Sequence, residues 1–127
     1  MPPKIPSVMP AVRIRRETPF GHLHVSIVVD PRADKELEVF AWLGKCGEMT
    51  TTDLEGICRI TSLYLRSGGD LRDIVKQLTG IGTKLVSDKI GSVPDSLGQV
   101  LEEYLKLKNN AGSIAKLLLG ESAPAAQ

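Results

Sequence analysis

Aromatic residues are scarce: two Phe, two Tyr and one Trp in 127 residues. A core built from this chain must therefore be aliphatic, and an aromatic side chain left outside it stands out. Cysteine is nearly absent as well. Cys46 and Cys58 form neither a CxxC pair nor a disulfide framework, which excludes a disulfide-stapled scaffold and a four-thiolate metal site. Net charge is small, 16 Lys and Arg against 15 Asp and Glu, and this removes the broad field on which nonspecific nucleic-acid binding depends. No apolar run approaches the roughly 20 residues that span a bilayer, and the first residues lack the apolar core of a secretion signal. The expectation is a reduced, cytoplasmic protein that engages no membrane.

The apolar residues present are ordered by period. MPPKIPSVMP at 1–10 carries four of the eight prolines and reads as an extended arm, since proline fixes φ and donates no N–H. Alternation starts with Val12 and Ile14, pauses at the turn Thr18-Pro19-Phe20-Gly21, and resumes with Leu23, Val25, Ile27 and Val29 on one face of a second strand. After the loop Asp30-Pro31-Arg32-Ala33-Asp34, a third strand places Leu37, Val39, Ala41 and Leu43 on one side and Phe40 and Trp42 on the other.

Beyond Leu43 the period lengthens to about 3.6. Leu54, Ile57, Cys58, Thr61 and Leu65 share a helical face, with Thr51 or Thr52 placed to cap its start and Gly68-Gly69 to stop it. Asp70 caps a second helix carrying Leu71, Ile74, Val75 and Leu78. Pro94 suits the first turn of a third, striped by Leu97, Val100, Leu101, Tyr104 and Leu105. Strands first and helices afterwards predict an α+β fold, a three-stranded antiparallel meander followed by three helices packed on one face of the sheet. The expected layout is an arm at 1–10, one domain at 11–107, a short C-terminal helical piece at 108–120 whose apolar part, Ile114 to Leu119, follows Asn109-Asn110-Ala111-Gly112, and a disordered tail at 121–127.

Six features carry chemistry. Gly44-Lys45-Cys46-Gly47 joins a strand to a helix, where amides, dipole and Lys45 could cradle a phosphate; the GxxxxGK[ST] spacing is missing, and a simple turn with a solvated lysine is the plainer reading. Cys46, beside Lys45 and a helix start, is the reactive thiol candidate, whereas Cys58 lies on the buried helical face. Leu78-Thr79-Gly80-Ile81-Gly82-Thr83-Lys84 looks like the glycine hairpin of helix-hairpin-helix DNA-binding modules, with Lys84 and Lys89 as phosphate contacts, but the upstream strands have no place in such a module. His22 and His24 share a strand face yet lack a third metal ligand or a triad partner, so neither a metal nor any other cofactor is expected. Arg13, Arg15 and Arg16 form the densest basic cluster, ordinarily a solvated strand face. Phe40 and Trp42 stand opposite the core row and call for a cover: a protein partner, a second copy, or the arm or tail of this chain folded back.

In order and spacing, TPFGHLHVSIVV, ELEVFAWLGKCGEM, ICRITSLYLRSGGDLRDIVKQL and GSVPDSLGQVLEEYL resemble the TSCPD domain, best known at the carboxyl end of adenosylcobalamin-dependent ribonucleotide reductases and found also as short free-standing chains. The resemblance implies an α+β module linked to deoxyribonucleotide synthesis. Where the family reads GIRC and SCPD, this chain reads Gly80-Ile81-Gly82-Thr83 and Ser92-Val93-Pro94-Asp95. Thr83 and Val93 thus occupy the positions of two thiols, and neither supplies a thiolate ligand. The chain is far too short for a reductase body. The expected role is a non-catalytic accessory module that binds a ribonucleotide reductase catalytic chain, or pairs with a second copy as a homodimer. The alternative is a nucleotide or nucleic-acid phosphate binder using Gly44, Lys45, Gly47, Lys84 and the basic strand.

Overall fold

The computed structural model describes residues 5–44, 48–82 and 91–120. Strands β1 (Ala11–Thr18), β2 (Gly21–Asp30) and β3 (Lys35–Leu43) form an antiparallel meander in the order β1-β2-β3. The first turn closes through Thr18, whose hydroxyl accepts from Phe20 N (3.0 Å) and donates to Gly21 O (2.8 Å), with Gly21 at φ 129°. The second closes through Asp30, whose carboxylate accepts from Arg32 N (2.9 Å) and Ala33 N (3.3 Å). Such aspartate-anchored turns are local and readable from sequence.

Leu23, Val25, Ile27 and Val29 of β2 are fully buried, with Val39, Ala41 and Leu43 of β3 beside them. One expected core residue is displaced. The register runs Ile27 with Val39 and Val28 with Glu38, then steps to Val29 with Glu36. Leu37 is the extra residue of a bulge, and the parity of the strand inverts there. Glu36 therefore enters the core row in place of Leu37. It is buried, and it accepts from the Tyr104 hydroxyl (2.7 Å) and from Lys108 Nζ (3.0 Å). Burial and the bond to Glu36 push the Tyr104 phenol far above its ordinary range.

Helices α1 (Glu48–Arg66), α2 (Leu71–Leu78), α3 (Val93–Ala111) and α4 (Ile114–Leu118) follow. α1 packs on β3, α3 on β1 and β2, and α2 and α4 on α3. This is the predicted α+β architecture, with the helical layer on one face of the sheet. α1 begins a turn earlier than Thr51 and Thr52 would cap it, so both threonines lie inside the helix. Its buried stripe is Leu54, Cys58, Thr61 and Leu65. Asp70 caps α2 by accepting from Arg72 N (2.8 Å). α3 does not stop at Asn109; it continues to Ala111 and ends on Gly112 at φ 99°, so residue 108 lies within a helix. Asp34 ties this corner to the sheet, its carboxylate accepting from Ile114 N (2.7 Å).

Candidate functional site

The meander register decides what the uncovered face of the sheet displays. Turn geometry sets Arg13 opposite Ser26 and Arg15 opposite His24, and on the other side Phe40 opposite Ser26 and Trp42 opposite His24. Odd residues of β1, even residues of β2 and Glu38, Phe40 and Trp42 of β3 thus share one surface. Trp42 and His24 stack with ring centroids 5.4 Å apart and planes 8° from parallel. The Arg13 guanidinium carbon sits 5.4 Å from the Trp42 ring centroid, and Arg13 Nη2 donates to His24 Nδ1 at 3.1 Å. Arg15 Nη2 approaches His22 Nδ1 at 3.4 Å, and Glu17 lies 3.7 Å from the same nitrogen. Desolvation, then the charges of Arg13, Arg15 and His22, lower the pKa of His24 and keep its imidazole neutral. Gly44 donates to His22 O (2.8 Å), and a Cβ on it would make ordinary contact with His24 Nε2 at 3.5 Å.

Phe40 and Trp42 reach past this surface to the free edge of β3. There, together with Cys58, Leu63 and Arg66 of α1, they line a groove of about 790 Å³. Phe40 is 47% and Leu63 50% exposed. The strand edge at the floor of the groove is already engaged. Ser62 Oγ accepts from Val39 N (3.0 Å) and donates to Val39 O (3.3 Å), and the Cys58 sulfur meets the Ala41 backbone. Addition of another strand would have to displace these contacts, so the groove suits inserted side chains better than β-augmentation. Burial pushes the Cys58 thiol up to about 11. The arm lies elsewhere: Ile5, Val8 and Met9 line a second cavity of about 680 Å³ with Leu37 and Leu65, and Pro10 O accepts from Val29 N. α4 packs on α3. Among the described residues neither arm nor α4 covers Phe40 and Trp42.

Ser92 to Asp95 forms a third locality. Ser92 caps α3, accepting from Asp95 N (3.1 Å), and its hydroxyl donates to Ile81 O (2.7 Å). The Asp95 carboxylate is buried and accepts from Gly80 N (2.7 Å), Gly91 N (2.8 Å) and Gln99 Nε2 (3.2 Å). A Cβ on Gly82 would stand 3.0 Å from Gly91 O. Asp95 thus binds together the two ends of the segment between α2 and α3. Val93, the first residue of α3, is half-buried against the core.

Of the other sequence candidates, Lys45, Cys46, Gly47, Thr83, Lys84 and Lys89 lie outside the described residues. Arg16 leaves the arginine cluster, because its partner Leu23 faces the helices, and it pairs with Glu103. Among the described residues no three His, Cys, Asp or Glu side chains gather as a metal site, and no helix is long and apolar enough to cross a membrane. Two features escaped the sequence reading. The placing of Arg13 and Arg15 beside His24 was findable, because every β1–β2 pair follows from the Thr18–Gly21 turn; the Trp42–His24 stack follows from the β2–β3 register. The Asp95 clamp was not, because the two partners that close the loop, Gly80 N and Gly91 N, are backbone amides.

The fold and these localities define a class: a small two-layer α+β module with one sheet face bare and a capped, aspartate-closed loop before its third helix. The chain belongs to the TSCPD domain family, whose model matches residues 4–105. No curated protein and no solved structure matches it.

Proposed function

We propose that this chain is an accessory module of ribonucleotide reduction that works by docking a protein partner, a ribonucleotide reductase catalytic chain, in the groove between β3 and α1. Family membership supports the pathway, since the TSCPD domain is best known as a module of ribonucleotide reductases. The single observation that carries the mode of action is the pairing of Phe40 and Trp42 with Leu63 around a groove that no described part of this chain fills. Aromatic and aliphatic anchors in a desolvated pocket provide most of the energy of a protein interface. The rim is charged but internally paired, Arg66 with Glu38 and Arg59 with Glu55, both at 2.9 Å. Such a rim adds little net attraction of its own, so binding should tolerate moderate salt.

The test is capture of a purified ribonucleotide reductase catalytic chain by this protein, with Phe40→Ala and Leu63→Asp as separate variants. Retention by the wild type at low and moderate salt, and loss of at least about tenfold in each variant, is the expected result. Self-association in place of capture, lost in the same variants, would make the groove a homodimer contact. Capture undiminished by Leu63→Asp would exclude the groove altogether.

A further inference from the structure

We propose that the bare face of the sheet is a nucleotide site, in which a nucleobase stacks on the exposed Trp42–His24 pair and its phosphates pair with Arg13 and Arg15. The arginines supply the first ground. Arg16, Arg59, Arg66 and Arg72 each bond a carboxylate, whereas among the described residues Arg13 rests on His24 and the Trp42 ring and Arg15 on His22, neither on a carboxylate. Of the neighbouring carboxylates, Glu38 is engaged by Arg66, and Glu17 approaches His22. Two guanidinium groups two residues apart on one strand face stand about 7 Å apart along the chain, a spacing that a di- or triphosphate can bridge. Guanidinium also offers paired donors to phosphate.

Aromatic geometry supplies the second ground. His24 and Trp42 already lie parallel, so a further planar ring extends an existing stack without reorganising it. Ser26, between Arg13 and Phe40 in the cross-strand row, is the small residue that leaves room beside that stack. Stacking on an aromatic side chain tolerates any base and is the usual means of holding one on an open surface. Two unpaired arginines suit one nucleotide rather than a polymer, whose backbone requires a longer basic track.

Ligand and proton are coupled. Desolvation first, then the charges of Arg13 and Arg15 of β1 and His22 of β2, disfavour a proton on His24, while Trp42 of β3 packs on it and Glu17 stands beyond His22. Phosphate on the two arginines cancels part of this repulsion, so ATP binding should raise the His24 pKa and strengthen as pH falls toward 6.

Trp42 is the chain's one tryptophan, so its fluorescence reports this surface in the full-length protein. Titration with ATP should quench it saturably. Arg13→Gln with Arg15→Gln should weaken binding at least about tenfold, and Leu63→Asp, which blocks the groove, should leave it unchanged. The His24 ring resonance of the wild type, followed by NMR with and without ATP, should show the raised pKa and does not depend on any variant folding. Tripolyphosphate binding as tightly as ATP would overturn the stacked base. Binding of single-stranded oligothymidylate without binding of ATP would overturn the mononucleotide. Absence of both quenching and a His24 shift at millimolar ATP would overturn the site. Partner capture that persists in the arginine variant would separate this site from the docking groove.

Discussion

A buried carboxylate is tolerable only where its oxygens are fully occupied, and Asp95 meets that condition through Gly80 N, Gly91 N and Gln99 Nε2. Its alanine variant leaves two amides without their acceptor. Asp95→Ala should therefore cost about 2–3 kcal/mol, and Asp95→Asn less, because the amide retains one acceptor oxygen; urea denaturation of the three proteins measures both. Hydrogen exchange should rise at Gly80 and Gly91 in the alanine variant. Glu36 is the counterpart in the core. Tyr104→Phe removes its shorter hydrogen bond and leaves Lys108, a loss of about 1–3 kcal/mol by the same measurement. The SCPD-like segment gave Asp95 a place at a helix amino terminus, which it has. Its reach across the loop was hidden, because sequence names side chains and these partners are main-chain amides fifteen and four residues away.

At the scale of elements, α2 and α3 touch through Gly98. A Cβ there would come within 2.9 Å of both Thr79 N and Thr79 Cγ2, and 3.0 Å of Leu78 Cβ. Alanine favours a helix over glycine by about 1 kcal/mol, while overpacking of this degree costs about 1–3 kcal/mol. A contact with backbone has little freedom to yield, so the steric term wins and Gly98→Ala should lower the melting temperature. A rise would mean that α2 slides to accommodate it. The cap of α2 is a pH-sensitive element. The Arg72 side chain, then its backbone N–H, holds the Asp70 carboxyl at about 2 against an ordinary 3.8. A depressed carboxylate stabilises the fold above its unfolded pKa and loses that contribution as pH falls through the folded one. Acid denaturation of Asp70→Asn should therefore lose its dependence on pH between about 4 and 2 relative to the wild type. Periodicity located both helices; the close approach at Gly98 depends on their docking angle, which no single-helix pattern contains.

For the whole molecule, one physical fact governs both fold and interface: the helices cover one side of the sheet. Alternation in β2 and the stripe of α1 announced that layer, because each element needs the other to bury its apolar face. The bulge at Leu37 was not announced, since Leu37, Val39, Ala41 and Leu43 alternate as one row in the sequence, and only the bonds of Glu36 to Tyr104 and Lys108 across the core accompany the break in that row. The two sides should therefore differ in their energetic response to side-chain truncation. Leu101 of α3, fully buried in the core, should cost about 2–5 kcal/mol as alanine. Phe40 and Leu63 keep about half of their surface in water, so each should cost well under half of that as alanine. Urea denaturation of Leu101→Ala, Phe40→Ala and Leu63→Ala measures the contrast. Equal losses would place Phe40 and Leu63 in the stability core and remove them as a docking surface; a small loss at both, with partner capture abolished, locates the stabilising interactions of the groove in the complex rather than in the free chain.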